Sequence, residues 1–440
     1  MDIGEDFAFE EAIELLTEYS WLVEFRIVDF LTSGFWNTCH SIPKEWRSFV
    51  ANDLSETDYA TVLMDMASVE ALDISAKIDH FRHQCYSCSF VTKHPFQPRP
   101  DTEKRRNVKL KKTYEIEQLS DQILQLLNHS GLSLAVDIGA GQGYLALELL
   151  ARDEAVNVIA LESADIQVHG TSKRLEDLSS DTKSRLLVKQ VHLEADHPGQ
   201  FDELLFENGP RQEYLMYSLH ACGSLSECML QTFCHSECKA SCLFNVACCY
   251  NLIDETLPGK HFPLSHKFMS IWAIRGLRLT RNMKMVACQA PFRWKHRPQQ
   301  TRNFFRRHFY RALLELLVVT IDPDQCQPLL NRLGNINDSH LTSFSAYARA
   351  AFSSMGLDDF DPILADNLLQ THRCMEKTIA FLWTMRALLG PCVEALILYD
   401  RYCYLGEVMP RAQVRLVPVL DPLKSPRNIA LIAEKNKVHK

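Results

Sequence analysis

The run Val136-Asp137-Ile138-Gly139-Ala140-Gly141-Gln142-Gly143-Tyr144-Leu145 decides how the rest of the chain is read. A short apolar stretch reaches an acid, three glycines follow at alternate positions, and an apolar pattern of helical period begins at once. This is a strand, a tight loop and a helix start. Gly139 and Gly141 let the backbone turn sharply and approach a ligand closely, where side chains would clash, and the helix start offers free N–H groups. A dinucleotide loop spaces its glycines G-x-G-x-x-G so that a pyrophosphate meets the helix N-terminus. Here the order is D-x-G-x-G-x-G.

An acid two residues before the first glycine suits a ligand with positive charge and no phosphate. S-adenosylmethionine is such a ligand, with an ammonium group and a sulfonium. Asp137 is expected to orient its amino-acid end, and Gly139, Ala140, Gly141, Gly143 and Tyr144 to form its cradle. Glu162 closes the next apolar run, Val158-Ile159-Ala160-Leu161, and is expected to accept from both ribose hydroxyls.

Outward from the loop, apolar runs of strand length fall at Leu134–Ile138, Val156–Leu161, Leu186–His192, Tyr214–Leu219 and Cys242–Ala247. Segments of helical period, such as Leu145–Leu150 and Leu225–Phe233, lie between some of them. Alternating strand and helix predicts an α/β protein with a parallel, doubly wound sheet. A helix is predicted over Glu115–Asn128. Residues from about 293 to 406 read as almost wholly helical, with Arg311–Val319 and Lys377–Tyr404 the strongest segments. A hairpin, Val414–Leu420 and Asn428–Ala433, then follows. A helical insertion before two last strands that close the sheet edge explains that order. The first 80 residues carry 17 acids against four basic residues and read as short helices. Prolines at 95, 98 and 100 mark a linker. The expected division is therefore a helical domain over 1–100, an α/β core over 101–292, a helical insertion over 293–408 and closing strands over 409–440.

With 440 residues, 46% apolar and 23% charged, the chain has the balance of a soluble globular protein of two or three packing units. That balance excludes a largely disordered, collagenous or disulfide-stapled chain. A net charge of −8 excludes a uniformly basic nucleic-acid binder. The acid-studded start is not expected to act as a secretory signal or presequence. Arg386 and Glu394 interrupt the most apolar late stretch, so no membrane span is expected. Fifteen cysteines are read as reduced thiols, which places the protein in cytosol or nucleus.

Beyond the glycine loop, three segments carry a resemblance: Leu219-His220-Ala221-Cys222-Gly223-Ser224-Leu225, Asn245-Val246-Ala247-Cys248-Cys249-Tyr250-Asn251, and Asp421-Pro422-Leu423-Lys424-Ser425-Pro426-Arg427-Asn428. Lys111-Lys112-Thr113-Tyr114-Glu115-Ile116 and Phe262-Pro263-Leu264-Ser265 add to it. The loop resembles motif I of class I S-adenosylmethionine-dependent methyltransferases. The set as a whole resembles the methyltransferase-like protein 25 family, which includes a relative named for a ribosomal RNA adenine dimethylase domain. The resemblance covers roughly 104–290 and 375–435. It implies a Rossmann-like seven-stranded sheet with helices on both faces, S-adenosyl-L-methionine as cofactor, and methyl transfer.

Methyl transfer needs nucleophile and methyl held in line and, for some acceptors, a base. The candidates are His220 and Cys222 at the end of the fourth strand, and Tyr250 and Asn251 after the fifth. His220 reads as a general base or as a histidine bonded into the sheet edge, and Tyr250 as a base-stacking ring or as core. In place of the Asn/Asp-Pro-Pro-Tyr run of adenine-N6 methyltransferases the chain has His-Ala-Cys-Gly. Seven cysteines between Cys222 and Cys249 form no paired C-x-x-C frame, and Cys85-x-x-Cys88 stands alone. The thiols are read as small buried hydrophobes, with no metal expected.

Residues 275–311 hold eleven Arg or Lys and no acid, with aromatics interleaved. Arg293, Lys295, Arg297, Arg302, Arg306 and Arg307 are the candidate RNA contacts, and the basic run Lys104–Lys112 extends the pattern. The competing reading docks this segment on the acidic first 80 residues. A methyltransferase acting on RNA (rRNA or tRNA) is thus the leading expectation. A protein or small-molecule methyltransferase, or a non-catalytic S-adenosylmethionine-binding scaffold, is the alternative.

Overall fold

A computed structural model describes residues 2–70, 76–91, 109–193, 198–207, 210–321, 336–357 and 360–436. The expected proline linker at 95–100 and most of the basic run 104–112 lie outside them.

Seven strands form one sheet: β1 (Leu134–Ile138), β2 (Asn157–Glu162), β3 (Leu186–Gln190), β4 (Tyr214–Cys222), β5 (Ala240–Cys248), β6 (Gln413–Pro418) and β7 (Ile429–Glu434). Their order is β3-β2-β1-β4-β5-β7-β6. The first five are parallel, while β7 runs antiparallel to both β5 and β6. This is the class I Rossmann-like methyltransferase sheet, with the hairpin closing the edge as the sequence order predicted. β1 is buried along its whole length and β5 nearly so. Strands covered on both faces read as continuous apolar runs, which is why they are legible.

Helix Leu110–Ser130 lays Ile116, Leu119, Ile123 and Leu127 onto a core shared with Ala135 of β1, Leu215 and Tyr217 of β4 and Phe244 of β5. Each of these aliphatic side chains, fully buried, contributes on the order of 1.5–3 kcal/mol. The strand order reverses between β1 and β4, on either side of the glycine loop. Open α/β sheets bind ligands at the carboxyl ends of such strands.

The chain divides into two compact units. One joins 1–12, 87–288 and 391–440 and holds the whole sheet; the other joins 13–86 and 289–390 and is helical. The N-terminal helices and the insertion, read separately from sequence, therefore pack as one body. The last part of the expected insertion, 391–408, belongs with the sheet. Within the helical unit, helix Pro298–Ile321 packs on Met375–Leu388 and Tyr59–Met66. Lys377 donates to the Leu54 carbonyl at 2.7 Å and Arg386 to the Phe25 carbonyl at 2.9 Å. Met375–Val408 is apolar and long enough to cross a membrane. The charges that interrupt it have internal partners: Arg386 that carbonyl, and Glu394 the Tyr250 hydroxyl within the sheet unit. Among the described residues no disulfide forms.

Candidate functional site

The loop after β1 turns on three glycines with positive φ: 69° at Gly139, 57° at Gly141 and 71° at Gly143. L-residues pay about 1–2 kcal/mol for that geometry. The space around the three differs. A Cβ on Gly143 would meet Thr171 Cγ2 at 2.6 Å, one on Gly139 would meet Leu225 at 3.2 Å, and one on Gly141 would meet nothing within 4 Å. Gly143 is thus required by packing, whereas Gly141 faces open space. Glu162 ties the loop down: its carboxylate accepts from the N–H of Gly141 at 2.8 Å, of Ser163 at 2.9 Å and of Ala164 at 3.0 Å.

A cleft of about 420 Å³ opens over the carboxyl ends of β1, β2 and β4. Gly139 and Glu162 line it, with Leu161, Val191, Leu193 and Leu225 as apolar walls and Cys222, Ser224, Lys260 and His261 on the remaining sides. Apolar walls with a few placed polar groups are the usual make-up of a small-molecule site. An adenine ring would find apolar walls here, and Glu162, the one acid among the described lining residues, would be the acceptor for ribose hydroxyls. The residues present fit S-adenosylmethionine.

Other expected cradle residues lie outside the lining. Asp137 is buried within the sheet, and burial pushes its carboxyl up to about 7. Tyr144 is held between the Lys112 ammonium and the Arg174 guanidinium, each 4.4 Å from its ring, and accepts from Arg174 at 2.7 Å. Ala140 is half-buried, and its N–H bonds the Leu161 carbonyl at 3.0 Å.

At the end of β4 the ladder with β5 slips between Leu219 and Ala221, and His220 between them has φ of 72°. A bulge of this kind re-aims a side chain. His220 Nε2 reaches Glu115 Oε2 at 3.1 Å, while Ser425 donates to Glu115 Oε1 at 2.6 Å and Lys111 lies 3.1 Å from it. Burial alone would raise the Glu115 carboxyl, but the His220 and Ser425 hydrogen bonds and the Lys111 charge outweigh it and hold it at about 2. An ionised Glu115 only accepts, so Nε2 donates to it and Nδ1 is the ring nitrogen left for another partner. Sequence reasoning assigned no role to Glu115. Its signal was a carboxylate one turn before Leu119, on the apolar face of its helix.

A carboxyl depressed from its ordinary value of 4.5 stabilises the fold above that value and loses the contribution as pH falls toward 2. The shift is worth about 3 kcal/mol at neutral pH. Glu115→Gln is therefore expected to unfold more easily than wild type at pH 7, with the gap closing between about pH 4.5 and 2. Urea unfolding across that range checks it; a gap independent of pH would contradict the ion-pair account.

Tyr250 does not stack on a ligand. It is 1% exposed, its hydroxyl donates to Glu394 at 2.9 Å, and Arg427 covers its ring at 4.9 Å. Asn251 is exposed and accepts from the Cys288 thiol at 3.4 Å. Cys222 meets Cys248 and Cys249. The hydrogen bond from Cys248 pulls the Cys222 thiol down to about 6, and that same contact pushes Cys248 up.

Several basic candidates have partners inside the helical unit. Lys295 pairs with Asp65 at 3.1 Å, Arg302 donates to Thr61 at 2.7 Å, Arg306 lies 3.7 Å from Glu376, and Arg307 pairs with Asp338. Arg293 is buried, while Arg297 is exposed. Docking on the acidic N-terminal helices accounts for part of this segment.

Residues 111–256 match a family described as a methyltransferase domain. The chain is 32% identical over 244 residues to probable methyltransferase-like protein 25 of Mus musculus and 31% identical to that of Homo sapiens. Each alignment covers 51% of this chain and 38% of the relative, so the chain matches well under half of those proteins' length. Among solved structures, the methyltransferase domain of bacterial CtHen1 aligns with 29% of this chain and 64% of its own at 13% identity and a TM-score of 0.24. Coclaurine N-methyltransferase bound to N-methylheliamine and SAH aligns with 89% and 96% at 11% identity and a TM-score of 0.26. The chain is thus related to methyltransferase-like protein 25 over about half its length. Residues 111–256 of its sheet unit match a methyltransferase domain, and the cleft lining is compatible with S-adenosylmethionine.

Proposed function

We propose that a chain with this methyltransferase domain transfers a methyl group from S-adenosylmethionine to RNA. The observation that carries the transferase reading is the cleft over β1, β2 and β4, with Gly139, Glu162 and Cys222 in its lining. When bound, the cofactor supplies a methyl already activated on sulfonium. The protein's share is then to bind it, orient the acceptor and take a proton if the acceptor carries one. His220 is the base in this reading. Glu115 orients its ring, and the Nδ1 lone pair takes the proton from a hydroxyl or amine acceptor.

RNA as acceptor is supported by the exposed basic groups Arg275, Arg278 and Arg281, which follow the cleft-lining Lys260 and His261, and by exposed Arg297. The ion pairs of Lys295, Arg306 and Arg307 favour a second reading, a protein or small-molecule acceptor. Cytosol or nucleus fits either, since the fourteen described cysteines are unpaired by disulfide.

Labelled methyl transfer to total cellular RNA and to protein extract, at low and high salt, separates the two. RNA labelling that falls roughly tenfold or more between 50 and 200 mM salt is expected, as for a partner held through several phosphates. Labelling confined to protein or small molecules would overturn the RNA part alone. In the same assay His220→Ala is expected to lower kcat by about 10²–10³-fold with cofactor affinity unchanged. Unchanged turnover would remove the base.

A further inference from the structure

We infer that Cys222, Cys248 and Cys249 bind a zinc ion through three thiolates, with the fourth coordination position open beside the donor cleft. The Sγ atoms lie 3.1 Å apart for Cys222 and Cys248, 3.6 Å for Cys222 and Cys249, and 3.5 Å for Cys248 and Cys249. A zinc ion about 2.3 Å from each of three sulfurs in a tetrahedral site sets them about 3.8 Å apart. The triangle already present is within a few tenths of an ångström of that on two edges. Small outward rotations of the thiols complete it.

Two backbone distortions build this triangle. Consecutive residues of a strand point to opposite faces, so Cys248 and Cys249 would ordinarily diverge. Cys249 instead has φ of 48°, a left-handed conformation that a non-glycine residue adopts at a cost of about 1–2 kcal/mol, and the two sulfurs come together. On the neighbouring strand the slip at His220 brings Cys222 into register with Cys248. Strain of this kind persists where a site requires it. Hydrophobic packing of thiols does not account for the arrangement, because Cys222 is exposed.

Thiolates select zinc among the abundant divalent ions, and three protein ligands with an open position describe a catalytic zinc rather than a closed structural one. Among the described residues these three cysteines are the one set of three or more His, Cys, Asp or Glu side chains whose ligand atoms lie within 4.8 Å of one another, and Cys222 also lines the cleft. The fourth position is left for water or a lone-pair donor of the acceptor. On binding, the S–H protons that the three cysteines still hold pass to the solvent as three Zn–S bonds form. The metal site stands on the thiols alone; its role beside the acceptor rests on the donor-cleft reading.

The test is metal content of the purified chain by mass spectrometry, followed by cobalt titration of the chelated protein. Variants Cys222→Ser and Cys249→Ser are compared with the exposed Cys374→Ser, and circular dichroism and S-adenosylhomocysteine calorimetry are run on each. One zinc per chain is expected, with cobalt giving thiolate charge-transfer absorption. Each cluster variant should weaken metal binding at least about 100-fold while retaining the fold, and Cys374→Ser should leave it unchanged. Absence of stoichiometric metal, metal retained in both cluster variants, or a Cys222–Cys248 disulfide in the non-reduced peptide map would overturn the site. Metal without S-adenosylhomocysteine binding would keep the zinc and remove the donor reading; the reverse would keep the donor reading and remove the zinc.

Discussion

Glu162→Ala is expected to weaken S-adenosylhomocysteine binding by about 10²–10⁴-fold on the proposed donor site, where two ribose hydroxyls would donate to a charged group at about 1.5–3 kcal/mol each. The same carboxylate accepts from the N–H groups of Gly141, Ser163 and Ala164. Its loss therefore also loosens the turn that shapes the cleft. Those amides are at or near the surface and find water when the carboxylate goes, so the fold should survive. Glu162→Gln separates the two effects, keeping the size of the side chain while losing its charge. It should fall between wild type and Glu162→Ala. Calorimetric titration of the three proteins measures both steps, and a change smaller than about threefold in Glu162→Ala would show that the carboxylate holds the loop and not the ligand.

The second large effect is on stability. Arg401 is 1% exposed and Glu227 is completely buried, and they pair at 2.6 Å within the sheet unit. Arg401→Ala strands a buried carboxylate and is expected to cost about 3–5 kcal/mol, whereas replacing both partners by methionine should recover most of that loss. The neighbouring Asp400 accepts from the N–H groups of Leu264 and Ser265 at 2.8 and 2.9 Å and from the Ser265 hydroxyl at 2.7 Å. Together with Glu394, which holds Tyr250 and Arg427, these contacts strap helix Gly390–Val408 to the chain that follows β5 and to the connection between β6 and β7. They also explain why charged residues interrupt an apolar helix. Urea unfolding of the single and double variants tests the pair; equal losses would mean that the cost is packing and not an orphaned charge.

The sheet was legible because the parallel strands are built on short, largely apolar runs of strand length, such as Val158–Leu161 and Leu215–Tyr217, and because the glycine loop fixes where the first one ends. β4 was read short. It continues past Leu219 to Cys222, since the bulge at His220 carries the ladder beyond the apolar run. Glu162 was legible as the acid closing a strand, while the cleft walls Val191, Leu193 and Leu225 were not, because they come together only when the sheet forms. The two-unit division depends on packing between segments more than 200 residues apart, as in the bond of Arg302 to Thr61. Local pattern does not encode such contacts; only the opposite charges of the two segments hinted at them. The thiol triangle was hidden for a related reason. Cys222 and Cys248 are neighbours through strand register, and Cys249 joins them through a left-handed turn.

The most direct test of the central claim is calorimetric titration of the purified chain with S-adenosylmethionine and S-adenosylhomocysteine, with Gly139→Arg as the control. Gly139 lines the cleft, and its positive φ and its nearness to Leu225 leave no room for a side chain without filling the site. Micromolar binding by the wild type, lost in a Gly139→Arg protein that keeps its circular dichroism, is the expected result. No measurable heat from a folded wild-type chain would contradict the donor site and the methyl transfer built on it.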